Sequence, residues 1–361
     1  MSWIATLTGR VRRAIAGVLL GVGLGTAPAL AQQEGLFTIP RFVFEGGGAL
    51  NDMKVSYVTY GQRAAGDGNV ILLVSATSGF KYWAAAHIGA GKTFDTDRYF
   101  VVSVDSIGGG ASSQPRDGLG ARFPQYNIRD MVRAQHALLT EGLGIQHVLA
   151  VAGGSSGAFQ ALEWGIVYPD FARGLVLYAG AATADRHVKV IIDGIVATLS
   201  LDPAFVAGAA VGPGGDAVRR ASTVYFPWIG SDQALEAMGS DEVLAKAEAG
   251  FAESWARNWD ATGLAWRYRS SRLHDVSIPF DNNMAAALAA VKADVLVLPV
   301  STDRTHPIAL NQSMAKGLVN ARVTYAVLDS PRGHVAVFLG PGSPEYMFVS
   351  QTTRTFLNAL R

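Results

Sequence analysis

Residues 147–169, HVLAVAGGSSGAFQALEWGIVYP, constrain this chain more than any other stretch. An apolar run, Val148 to Ala152, breaks at Gly153-Gly154-Ser155-Ser156-Gly157, and an apolar, helix-compatible segment then runs to Pro169. A strand, a G-x-S-x-G turn and a helix in that order form the setting in which a serine becomes a nucleophile. Small residues flank the serine because the turn is tight. The turn pushes the Ser155 hydroxyl off the end of the strand, and the helix N-terminus behind it favours developing negative charge.

The rest of the chain fits an α/β fold. Short apolar runs bounded by turn signals stand at Val70–Val74, Tyr99–Val104, Val148–Ala152, Gly174–Tyr178, Val295–Val300 and Val323–Leu328, as strands buried on both faces require. Arg41–Phe44 and Lys54–Thr59 alternate as an antiparallel edge pair. Ile128–Glu141 and Ser156–Tyr168 read as helices between strands. Charged residues make up 16% of the chain, against about 25% in an ordinary domain, which suits a sheet covered on both sides. The pattern predicts a doubly wound, mostly parallel sheet with right-handed crossovers. The alternation fails over 183–280. Helical patterns at Arg186–Leu199, Ser240–Trp259 and Leu264–Asp275, with a Gly-rich break at 211–215, predict a helical cap. It divides the core into 32–182 and 281–361.

The N-terminus carries Arg10, Arg12 and Arg13, an apolar stretch from Ala14 to Leu24, and Ala29-Leu30-Ala31. That order is a cleavable export signal over 1–31, leaving Gln32 first and predicting a periplasmic or secreted protein. The apolar stretch is short for a membrane span of about 20 residues. There is no cysteine, which removes disulfides, thiolate metal sites and cysteine nucleophiles. A formal charge of +1 gives no reason to expect nucleic acid as a partner. No metal-ligand spacing is visible, and neither metal nor cofactor is expected. A homodimer, if formed, would use the cap.

A serine at such a turn needs a base, and the base an orienting acid, in the chain order Ser, acid, His. Of the histidines after Ser155, only His334 sits in a Gly-flanked turn straight after the last strand. His187 and His274 fall in the cap pattern, and His306 lies close to the acid loop and precedes a proline. Asp303 follows strand Val295–Val300 and is the expected acid. Asp329, which closes the last strand, is its rival, and Asp294 begins a strand at the wrong end of the sheet. Two backbone N–H groups should hold the oxyanion: that of Ser156, and one from the loop Ser75-Ala76-Thr77-Ser78-Gly79, for which Thr77 is the choice. Tyr225, Phe226, Trp228, Trp255, Trp259 and Trp266 read as cap packing rather than pocket lining. Arg129, Asp130 and Arg133 read as charges on a helix surface.

Several longer stretches carry a resemblance. They are Ile88-Gly-Ala-Gly-Lys-Thr-Phe-Asp-Thr-Asp-Arg-Tyr-Phe100, Ile128-Arg-Asp-Met-Val-Arg-Ala-Gln135, Gly153-Gly-Ser-Ser-Gly-Ala-Phe-Gln-Ala-Leu-Glu-Trp164, Asp202-Pro203 and Gly333-His334. In these the chain resembles the homoserine O-acetyltransferase family of α/β-hydrolase-fold proteins, from about residue 37 onward. The resemblance implies Ser155, Asp303 and His334 as nucleophile, acid and base. The departures bear on function. The family's turn usually reads G-G-S-M-G-G, where this chain has Ser156 and Ala158. Its oxyanion loop usually reads H-A-L-T-G, where this chain has Ser75 to Gly79. Transferases usually carry an acidic residue after the histidine, where this chain has Val335. An amino-acid substrate would then leave its ammonium unpaired. The expectation is a serine hydrolase cleaving small-molecule carboxylic esters through an acyl-enzyme, with O-acyl transfer to a hydroxyl acceptor as the alternative.

Overall fold

The computed structural model describes residues 32–209 and 212–360; the expected export signal at 1–31 lies outside them. A single sheet carries the core. Its strands are β1 (Gln33–Val43), β2 (Ala49–Tyr60), β3 (Val70–Val74), β4 (Phe100–Val104), β5 (Val148–Gly154), β6 (Ala172–Tyr178), β7 (Asp294–Leu298) and β8 (Val323–Tyr325). They lie side by side in the order β1-β2-β4-β3-β5-β6-β7-β8. β1 pairs antiparallel with β2, and β2 with β4; from β4 to β8 every pair is parallel. Val70, Leu72 and Val74 of β3 enter the core on one face, Ile71 and Leu73 the core on the other. A strand with two buried faces needs an unbroken apolar run, which is why VILLV was readable.

Between the strands lie α1 (Ile128–Ala137) and α2 (Ser156–Val167). After β6 come α3 (Arg186–Leu199), α4 (Pro203–Val206), α5 (Asp216–Ile229), α6 (Asp232–Glu236), α7 (Asp241–Ala256) and α8 (Ala261–Arg272). Next come α9 (Met284–Ala289) before β7, α10 (Ile308–Gly317) after it, and α11 (Pro344–Ala359) after β8. The segments leading into and out of the α3–α8 region meet: Thr183 bridges Asp275, and the Val276 N–H donates to the Ala182 carbonyl at 3.1 Å. The chain therefore enters and leaves the α3–α8 region at one place.

Four readings change. β1 and β2 are much longer than their alternating cores, because the pairing runs out along an exposed hairpin where polar residues on one face cost nothing. β7 stops at Leu298 because Pro299 has no N–H for the ladder. β8 stops at Tyr325, and the pairing resumes only as an isolated bridge between Val300 and Leu328. Helix α5 was not anticipated; it begins just after the Gly-rich run and carries Pro227 near its end. Asp130 is fully buried rather than on the surface. It closes a capping box with Asn127 and accepts the Glu45 N–H at 3.0 Å, while Arg129 pairs with Glu45 and Glu163.

Candidate active site

The loops after the parallel strands gather at their C-terminal ends, the usual ligand edge of such sheets. Ser75 follows β3, Ser155 follows β5, and Asp303 and His334 follow β7 and β8. Ser155 has φ 55° and ψ −123°, a conformation a non-glycine residue adopts only under constraint. The constraint is visible. The Ser155 N–H donates to the Tyr178 carbonyl at 2.9 Å, which ties the turn to β6. A Cβ on Gly153 would collide with the backbone of Gly157, and a Cβ on Gly157 would stand 2.6 Å from the Val74 carbonyl oxygen. Only glycine at both positions lets α2 close down on β3, and that contact sets the turn beside the Ser75–Gly79 loop.

Asp303 and His334 come together. The His334 Nδ1–H donates to Asp303 Oδ2 at 2.7 Å, with both side chains buried. The other carboxylate oxygen, Oδ1, accepts the N–H groups of Thr305 at 2.8 Å and His306 at 2.9 Å. Both lone-pair regions of Asp303 are therefore occupied and its orientation is set. His334 Nε2 is buried and has no hydrogen-bond partner among the described residues, the Ser155 hydroxyl included. Asp329 is exposed and accepts the Ser301 hydroxyl, and Asp294 pairs with Arg322 at the opposite end of β7. His187 is exposed, with Nε2 on the Arg304 carbonyl.

Ser155 and Thr77 line one small cavity of about 20 Å³, together with Ile191, Ile192, Tyr225 and His306. The Thr77 N–H makes no backbone hydrogen bond among the described residues, and the Thr77 hydroxyl lies 3.0 Å from the Ser271 hydroxyl. Tyr225 thus lines the cavity and also packs against Trp255 and Tyr268, so it is both wall and cap core. Phe226, on the next position of α5, faces a separate apolar cavity of about 590 Å³ that also touches Val335.

Gln160 and Glu163 were not anticipated, and Trp259 and His306, read from sequence as cap packing and as a lesser candidate base, take other places beside the site. Gln160 of α2 is fully buried; its Nε2 donates to the Ser75 carbonyl at 2.9 Å, and its Oε1 accepts from Ser106 and Gln135. Trp259 donates Nε1–H to the Ser78 carbonyl at 3.2 Å and stacks on Phe80. His306 meets the His334 ring edge to face, and burial pushes its pKa down to about 3. Glu163, also on α2, is pushed up to about 8 by burial. Gln160 and Glu163 had a signal: two polar residues inside an otherwise apolar helix segment need internal partners.

Residues 69–341 match the family described as alpha/beta hydrolase fold. The chain is 33% identical over 327 residues to a homoserine O-acetyltransferase from Thermobifida fusca, covering 80% of this chain and 86% of that protein. It is 29% identical over 318 residues to an ethyl acetate hydrolase from Pseudomonas veronii, covering 84% and 89%. Among solved structures, an acetylester hydrolase from Corynebacterium glutamicum superposes with a TM-score of 0.82 at 26% identity, over 90% of this chain and 96% of that one. This chain is therefore an enzyme-type α/β hydrolase and belongs to the homoserine O-acetyltransferase-like family, whose relatives include both acyltransferases and esterases.

Proposed function

We propose that this protein hydrolyses small neutral carboxylic esters through an acyl-enzyme on Ser155. His334 Nε2 takes the Ser155 proton as Oγ attacks the ester carbonyl. The N–H groups of Thr77 and Ser156 hold the oxyanion, and Asp303 holds the imidazolium that forms. His334 then gives its proton to the alcohol oxygen as the C–O bond breaks. Water adds to the acyl carbon, losing a proton to His334, and the acid leaves with Ser155 restored.

The observation that carries this reading is the 2.7 Å bond from His334 Nδ1 to Asp303, which leaves a buried, unpartnered Nε2 as the only free nitrogen of the base. The Ser155 cavity is small and walled by Ile191, Ile192 and Tyr225, which supports a short acyl group over a long one. The larger cavity beside Val335 contains no carboxylate in its lining, and Arg332 is its one charged residue. No carboxylate therefore stands beside Val335 to pair with an ammonium, which supports a neutral alcohol half over an amino acid. An exported enzyme would also meet free esters and not acyl-CoA.

Transfer of the acyl group to a hydroxyl acceptor is the second reading. It is favoured by the match to the Thermobifida fusca homoserine O-acetyltransferase across 80% of this chain. The two share every step up to deacylation, so product partitioning separates them. With an acetyl ester, water and added homoserine, hydrolysis predicts free acetate as the main product. O-acetylhomoserine forming faster than acetate would establish transfer instead.

A further inference from the structure

Arg267 lies on α8 in the cap and is 1% exposed. A guanidinium taken out of water must find partners for its N–H groups. Those of Arg267 are main-chain carbonyls of the core: Nε donates to Thr77 at 2.9 Å, Nη2 to Ala76 at 2.5 Å, and Nη1 to Ile107 at 3.2 Å. Its plane also lies over Trp259 at 5.8 Å, and Trp259 holds the next carbonyl, that of Ser78. Three consecutive carbonyls, Ala76, Thr77 and Ser78, are therefore gripped by two cap residues.

In a trans peptide the C=O and the N–H point in opposite directions, and there are no cis peptides among the described residues. The Ala76 carbonyl and the Thr77 N–H belong to one peptide unit. With the carbonyl held by Arg267 on one side and by the Gly79 N–H at 3.0 Å within the turn, the Thr77 N–H must point away from Arg267, and it makes no backbone hydrogen bond among the described residues. Thr77 and Ser155 line the same cavity. If the peptide turned over, a carbonyl oxygen would take the place of the donor and repel the oxyanion. A cation on the carbonyl also polarises the peptide and strengthens its N–H as a donor.

We infer that Arg267 is the positioning residue of the oxyanion hole: through the Ala76 and Thr77 carbonyls it locks the Thr77 N–H in the orientation that receives the oxyanion, and so makes the cap a requirement for chemistry at Ser155. The inference rests on the acyl-enzyme reading above. It differs from a plain packing role for Arg267, which would affect folding or substrate affinity but not transition-state stabilisation in particular.

The test is Arg267→Met with 4-nitrophenyl acetate, alongside Tm, circular dichroism and the inhibition constant of an alkyl boronic acid, whose adduct with the serine mimics the oxyanion. The expected result is a folded protein with kcat lowered roughly 10²–10³-fold, the range for losing one oxyanion donor. KM should stay within a few-fold, and boronate affinity should fall in parallel with kcat. If Arg267→Met does not fold, Arg267→Lys decides, since an ammonium can reach one carbonyl but cannot bridge two in the guanidinium geometry. It should then show an intermediate kcat with KM unchanged. A folded variant with wild-type kcat, or a loss confined to KM, overturns the inference. Fluorophosphonate labelling of Ser155 in the wild type keeps the two claims apart. No labelling and no turnover in the wild type would sink the acyl-enzyme reading itself, whereas labelling with an unimpaired Arg267 variant sinks only the role of Arg267.

Discussion

The rings of His306 and His334 meet edge to face with centroids 5.2 Å apart, yet only His334 touches Asp303 through its side chain. His306 contributes its backbone N–H to the same carboxylate. Burial and the neighbouring His334 push its pKa down to about 3, which makes it far too weak a base to take a serine proton near neutral pH. His306→Phe keeps the ring contacts with His334 and Phe159 and should lower kcat less than about tenfold, whereas His334→Ala should lower it by about 10⁴ or more. Steady-state kinetics on both variants checks this. A larger loss for His306→Phe would move the base assignment to His306.

Ser155→Ala should lower kcat by about 10⁴ or more, and Ser156→Ala by much less, because the proposed role of Ser156 is through its backbone. Asp303, His334 and Ser155 should behave as one unit, so the Asp303→Ala/His334→Ala double variant is expected to be hardly slower than His334→Ala. Multiplicative losses in that double variant would show that the two residues act independently.

Stability should depend on pH through the pair behind α2. Glu163 Oε1 lies 3.8 Å from His274 Nδ1, and both side chains are buried. Burial raises Glu163 from an ordinary value of 4.5 to about 8 and lowers His274 from 6.5 to about 4, so at pH 7 the contact joins two neutral groups. For Glu163 the folded state keeps a proton that the unfolded state sheds above pH 4.5. Its contribution is full below that pH and is lost as pH rises toward about 8. For His274 the sign is opposite: its contribution is present above pH 6.5 and is lost as pH falls toward about 4. Glu163→Gln cannot titrate, so the Tm of the wild type minus that of the variant should fall steadily from pH 5 to pH 8. A constant difference across that range would contradict the buried, neutral carboxyl.

Gly157→Ala should destabilise the fold and the site together. The added Cβ would stand 2.6 Å from the Val74 carbonyl oxygen, and backbone on both sides cannot yield as a side chain could. A cost of about 1–3 kcal/mol is expected from overpacking, read by urea unfolding. Activity should fall beyond what the unfolded fraction explains, because the serine turn and the oxyanion loop would be wedged apart.

Export is the remaining expectation. Mass spectrometry of the protein from its native host should find Gln32 as the first residue and the protein outside the cytoplasm. An intact Met1 in the cytosolic fraction would refute it and would restore acyl-CoA as a donor.

Much of this protein is legible without tertiary structure, because the signals involved are local. The buried run VILLV, the turn Gly153–Gly157 and the sites of Asp303 and His334 follow from periodicity, turn chemistry and strand ends, all short-range properties of the chain. Where a local rule competes with a distant partner, the sequence is silent or misleading. Asp130 looks like a surface charge until the Glu45 N–H arrives from 85 residues away. Thr77 is one polar residue in a polar loop until Arg267, 190 residues on, takes its carbonyl. Glu163 and His274 look like ordinary titrating groups until packing removes them from water. The amino-acid order by itself determines the sheet, the serine turn and the order of the candidate catalytic groups. Only the tertiary structure decides burial, protonation and which way a peptide faces, because these depend on desolvation and on donors and acceptors that long-range contacts bring together.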